Sequence, residues 1–207
     1  MASAILHLAI AKQLKDKLNI DNISDYYLGS IAPDMSKQIG ENRTKSHFLV
    51  KTEKDIPNID LFVKRYPAFK YNSFELGYFI HLYSDKLWQE NIINKIKNEN
   101  CIKLLDGTII NLNDEEILNL IYSDYTTLNK QVIEEYDLDL SLFYEEFKKP
   151  DTILNEVPVD KLDILINKMG IIIENSKENK PYTFDIYIIK NYIEDTVEEI
   201  LKEIEKY

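Results

Sequence analysis

The sequence predicts an all-α fold in a single compact multi-helix domain, and three observations carry that prediction. Gly and Pro are sparse, at 5 and 6 of 207 residues, so turns are few. Apolar residues recur at helical spacing through most of the chain, and only residues 102–112 suggest strands. With 44% hydrophobic and 29% charged residues, a chain of this length buries a sizeable core without disulfides or a structural metal. No repeat, low-complexity tract or linker divides residues 1–207, which read as one domain.

Ser3 caps a first helix running to about Leu18, with Ala4, Leu8, Ala11, Leu14 and Leu18 as its apolar stripe and His7 beside it. A second helix spans Ile23 to Ile31 and is stopped by Pro33, because proline disfavours helix in the residue before it; Asp34 follows that end. Met35 to Lys45, polar and carrying Gly40, Asn42 and Arg43, reads as an exposed loop that returns to apolar character at Ser46-His47-Phe48-Leu49. Pro57 starts a helix to about Lys70, and Asn72 or Ser73 caps the next, which runs to about Asn98 and contains Gly77 through Trp88.

Ile102 to Leu112, centred on Asp106-Gly107, reads as a hairpin or an ordered loop. Asn113 and Glu116 form a capping box for a long helix to about Tyr136, and Leu138 to Phe147 makes a short one. Helices from about Val159 to Lys177 and from about Phe184 to Lys206 complete the chain, the last with Ile189, Val197, Ile200 and Ile204 in register.

A formal net charge of −11 argues against a nucleic-acid partner, since such proteins neutralise phosphates with clustered Lys and Arg. No segment approaches the ~20 apolar residues of a membrane-spanning helix. The N-terminal run carries His7 and gives way to Lys12, Lys15 and Lys17, so it reads as an amphipathic helix rather than a signal peptide. The lone Cys101 suits a reducing compartment, and a cytoplasmic protein is expected. The acidic last helix covers the core or pairs with another chain, and the oligomeric state stays open.

Chemistry concentrates in Gly77 through Trp88, which sets His81 and Asp85 one helical turn apart on one face. That spacing offers an imidazole nitrogen and a carboxylate oxygen to one metal ion. The two other histidines of the chain, His7 and His47, and Asp34 after Pro33 are candidates for the same group. Neutral imidazoles and ionised carboxylates are the ligands that zinc and similar divalent ions accept. Spacing alone does not bring His7, Asp34 and His47 to the pair. Asp124, flanked by aromatics, either enters the same pocket as an outer ligand or base or stands on an exposed helix face.

In order along the chain come His7 on an early helix, Tyr27-Leu28-Gly29 with Pro33-Asp34, the Ser-His-Phe return at His47, and Leu-Gly-Tyr-x-x-His-x-x-x-Asp from Leu76 to Asp85. This order resembles the bacterial zinc-dependent phospholipase C family, all-helical hydrolases related in fold to zinc nucleases. By resemblance, Asp34, His47, His81 and Asp85 surround one metal while His7 approaches a second, with Asp85 able to bridge. The best-known members bind a further zinc through downstream histidines and use an N-terminal amine freed by signal-peptide cleavage. No histidine follows His81 here, so one or two ions are expected rather than three.

The expected activity is metal-dependent hydrolysis of a phosphoester, on a small-molecule or lipid substrate, with zinc as first choice and Mn or Fe as alternatives. Asp34 either ligates the ion or takes the proton of the attacking water. The competing expectation is a non-catalytic helical binding protein that keeps a structural or vestigial metal site.

Overall fold

The computed structural model describes residues 2–52, 55–141, 148–151, 154–174 and 180–207, with the backbone alone at 159, 169 and 171–173. The fold is all-α, with α1 at Ala4–Lys15, α2 at Ile23–Ile31, α3 at Met35–Gln38, α4 at Ile59–Arg65 and α5 at Ser73–Trp88. The single turn α6 (Asn94–Ile96), α7 (Asp114–Glu135), α8 (Leu162–Glu174) and α9 (Ile186–Ile204) follow. The expected hairpin is present as β2 (Cys101–Lys103) against β3 (Ile109–Asn111), and β1 (Lys97–Asn98) extends it to three antiparallel strands. The short helix expected at Leu138 to Phe147 falls largely on residues 142–147, and the expected end of α8 on 175–177, outside the described residues.

Helix starts follow side-chain acceptors that satisfy amides no helical carbonyl can reach. Ser3, Asn22, Asn58, Asn72, Asn113 and Asp185 each accept from the amide three residues on, and Asn113 and Glu116 complete the capping box. Pro57 therefore precedes a helix begun by Asn58 instead of starting it.

Pro33 corrects the reading of the next segment. It sits in the first turn of a 3-10 helix, Ala32–Asp34, where a missing N–H costs nothing, and helical turns continue through α3. Met35 and Ser36, expected on an exposed loop, are buried.

Nearly all of α5 is buried: Ser73, Glu75 and Lys86 are the exceptions along it. A helix apolar on all sides belongs at the centre of its protein, and α1, α2, α4 and α9 pack around this one. Its crossing with α2 is backbone to backbone. A Cβ on Gly29 would lie 2.1 Å from the Phe74 carbonyl oxygen, and one on Gly77 2.1 Å from that of Tyr26. The amphipathic α9 lays Ile189, Ile193, Val197 and Ile200 on the core, and Tyr192 donates to the Ser84 carbonyl in α5 at 2.7 Å.

Candidate metal centre

The central helix carries the site. His81 and Asp85 stand one turn apart on α5, 0% and 2% exposed, with His81 Nε2 4.0 Å from Asp85 Oδ2. From α1, His7 stacks on the His81 ring at 3.7 Å between centroids, and its Nε2 lies 3.5 Å from Asp85 Oδ1. The 3-10 turn after α2 brings Asp34, whose Oδ1 is 3.8 Å from His47 Nε2. His47 Nε2 in turn lies 3.6 Å from Asp85 Oδ2 and 3.3 Å from His81 Nε2. All five residues singled out in the sequence thus meet in one buried cluster. Candidate ligand atoms of His7, Asp34 and His81, one from each, lie within 4.8 Å of one another, as do those of His47, His81 and Asp85.

A strained turn delivers His47. Phe48 adopts a left-handed backbone with φ 54°, rare for a bulky residue and sustained only where surroundings over-determine it. Its ring packs edge-on against Phe62 at 5.3 Å and Tyr78 at 6.3 Å, while Leu49 N–H closes the turn onto the Thr44 carbonyl at 2.9 Å. Tyr78 O–H also clamps the Ser46 carbonyl.

Hydrogen bonds on the outer side of each ring assign its tautomer. His81 Nδ1 faces the Ser30 carbonyl at 2.8 Å; a carbonyl only accepts, so Nδ1 carries the hydrogen. That carbonyl lies in the last turn of α2, where helical partners run out. Ser84 donates to the His81 carbonyl at 2.9 Å, so its oxygen accepts from His7 Nδ1–H at 2.8 Å. Ser46, donating toward the Arg43 carbonyl at 3.3 Å, accepts from His47 Nδ1–H at 2.9 Å. All three Nε2 lone pairs then point inward, at one another and at two carboxylates. His7 Nε2 is buried with no hydrogen-bond partner.

Electrostatics keep the His47 and His81 rings neutral. Burial pushes the His47 and His81 imidazoles well below the usual histidine range, helped by Arg43 beside His47 and by His7 beside His81. Burial raises the Asp34 carboxyl, and the neighbouring Asp85 adds to that. Inward lone pairs repel one another and the facing carboxylates, and the positive partners already present, the Arg43 guanidinium at 3.1 Å and the Ala2 N–H at 2.8 Å, both serve Asp85. The donor set, imidazole nitrogen with carboxylate oxygen, fits a divalent ion such as zinc.

Beyond Asp85 the cluster opens on a cavity of about 820 Å³. Its apolar wall is Ile93 with Ile117, Leu118 and Ile121 of α7, and Lys37 and Arg43 also line it. Arg43, expected on an exposed loop, instead places Nη2 3.1 Å from Asp85 Oδ2 with its side chain 17% exposed. The signal was compositional: the chain's two arginines, among 25 basic residues, both pair with buried carboxylates, Arg43 with Asp85 and Arg65 with Glu156.

Residues 6–88, less than half of the chain but the part that holds all five cluster residues, match the family model described as zinc dependent phospholipase C. In this segment the chain is similar to the zinc-dependent phospholipase C family. No curated protein and no solved structure matches it. The family match ends at Trp88, the last residue of α5, so the helices that wall the cavity from the other side lie beyond it. Together with the cluster, the match supports a metal-dependent hydrolase.

Asp124 belongs elsewhere. Neither outer ligand nor exposed carboxylate, it is fully buried in α7 and accepts from Tyr182 N–H at 2.8 Å and from Thr183 N–H and Oγ1–H, each at 2.6 Å. It ties α7 to the chain entering α9. In Asp124→Asn the amide nitrogen faces donors it cannot accept from, so stability falls by about 2–4 kcal/mol in urea unfolding while metal uptake is unchanged. A drop in metal uptake at unchanged stability would return Asp124 to the site.

Proposed function

We propose that the chain is a metal-dependent hydrolase of phosphoesters, working as one domain over residues 1–207. The observation that carries this reading is the set of three inward Nε2 lone pairs with two carboxylates beside a partly apolar cavity. His7, Asp34, His47, His81 and Asp85 would hold one or two divalent ions, zinc being the metal in the family's description. When bound, such an ion supplies Lewis-acid polarisation of the phosphoryl group and makes hydroxide available near neutral pH. Asp34, its carboxyl raised by burial and its side chain 12% exposed, takes the proton of the attacking water. Ile93, Ile117, Leu118 and Ile121 receive the organic part of the ester, in a lipid or a smaller molecule. Among the described residues no helix is long and apolar enough to cross a membrane. A cytoplasmic setting belongs to the proposal and rests on the lone Cys101.

The test is elemental analysis of protein purified without chelator, followed by hydrolysis of a panel of phosphomonoesters and phosphodiesters before and after chelation. Stoichiometric metal is expected, with activity lost on chelation and recovered on adding zinc or manganese. Activity undiminished in the metal-free protein overturns the mechanism. Metal without turnover on any ester points instead to a non-catalytic binding protein.

A further inference from the structure

We propose that Arg43 binds the phosphoryl oxygens of the substrate, with Lys37 flanking the same anion. This inference rests on the phosphoester reading above and assigns its recognition to two cations of the cavity.

The chain between α3 and His47 is folded to bring these cations together. Gly40, at φ 74°, ends α3: its N–H donates to the Lys37 carbonyl at 3.3 Å and Glu41 N–H to the Ser36 carbonyl at 2.8 Å. That pairing is the Schellman arrangement, which terminates a helix and turns the chain back. Lys37, before the turn, and Arg43, after it, consequently line one cavity with Asp85 between the cluster and the open space. Lys37 is held against α7, its Nζ 3.9 Å from the Tyr122 ring centroid and hydrogen-bonded to the Tyr122 hydroxyl.

The third cation at this cavity, Lys97, pairs with Asp114 at 2.7 Å. Of the acids there, Asp55 accepts from the Lys51 and Thr52 amides, and Glu41 and Glu99 also line the space. Arg43 and Lys37 are thus the cations directed at the site, in a protein of net charge −11. A guanidinium next to a buried carboxylate is a poor source of stability, because desolvating both charges offsets their attraction. Its planar fork of donors is well matched to phosphoryl oxygens, which a point-charge ammonium is not. Arg43 sits where it can hold Asp85 with one nitrogen and meet an anion entering from the cavity.

The experiment measures inorganic phosphate affinity by titration calorimetry and metal content by elemental analysis, on wild type, Arg43→Gln and Arg43→Lys, each metal-loaded and chelator-treated. Gln keeps a donor for Asp85 without charge; Lys keeps charge without the fork. Metal content is expected to match wild type in both variants. Phosphate binding is expected to weaken about tenfold or more in Arg43→Gln and less in Arg43→Lys, in either metal state. Unchanged phosphate affinity in Arg43→Gln overturns the proposal, as does loss of metal in Arg43→Gln with full recovery of metal and phosphate binding in Arg43→Lys, which would make Arg43 only an orienting partner of Asp85. A wild type that takes up metal and hydrolyses esters but binds no phosphate also overturns it while leaving the hydrolase reading intact. A wild type that takes up no metal, yet binds phosphate through Arg43, removes the metal reading and supports the anion site.

Discussion

Asp85→Asn is expected to lose stoichiometric metal uptake and, with it, at least about a thousandfold in ester hydrolysis if the proposed centre is the catalytic one. Asp85 is the one residue of the cluster within 4.0 Å of every histidine, at 3.5 Å from His7, 3.6 Å from His47 and 4.0 Å from His81. Replacing it with the near-isosteric amide removes one of two negative charges that would balance a dication, without opening a cavity. Thermal melting reads the loss independently of activity. At free zinc about a thousandfold above Kd, binding to the native state alone adds about 4 kcal/mol. In a domain of this size that raises Tm by roughly 8–16 °C. The increment appears in wild type and is absent from Asp85→Asn. The metal-free variant also melts below metal-free wild type, because Arg43 keeps its charge and loses the carboxylate at 3.1 Å. A variant that retains the full zinc increment would exclude Asp85 as a ligand.

How much of this centre could be read from the chain depends on whether local spacing or packing places each residue. His81 and Asp85 follow from helical periodicity, since one turn of α5 suffices to align them. His7, Asp34 and His47 share no spacing with them. Their convergence depends on α2 meeting α5 without side chains between and on the left-handed turn at Phe48, which no propensity predicts. The groups that set the tautomers were invisible for another reason: the Ser30 carbonyl is backbone, and Ser46 and Ser84 are residues that elsewhere would be unremarked surface. Helix starts were legible because side-chain acceptors announce them, whereas Pro33 misled because it fits the first turn of a helix as well as it stops one. Arg43 and Asp124 both illustrate a charge hidden by its partner, a carboxylate distant in sequence in one case and two backbone amides in the other.

Gly77→Ala sets local propensity against packing, and packing is expected to win. By propensity alone the substitution stabilises an interior helical position by about 1 kcal/mol. At Gly77, however, the added Cβ lies 2.1 Å from the Tyr26 carbonyl oxygen, 2.8 Å from Ser30 N and 3.1 Å from the Gly29 carbonyl carbon. All three are backbone atoms, so no rotamer change relieves the contact and α2 must move away from α5. Overpacking of a well-packed interior costs about 1–3 kcal/mol where side chains can yield, and here they cannot, so a loss above about 3 kcal/mol is expected in urea unfolding. Separation of the helices also stretches the Ser30 carbonyl from His81 Nδ1, now 2.8 Å, which holds the ring in its ligating tautomer, so zinc affinity falls together with stability. Gly107→Ala is the comparison. Gly107 has φ 86° with nothing within 4 Å of the added atom, so its cost is backbone strain of about 1 kcal/mol and zinc binding is untouched. Equal effects of the two substitutions on zinc affinity would mean that the α2–α5 contact does not position the centre. A selective loss in Gly77→Ala would tie the Leu-Gly-Tyr motif of α5 to the centre through helix spacing, since glycine itself offers no side chain to the metal.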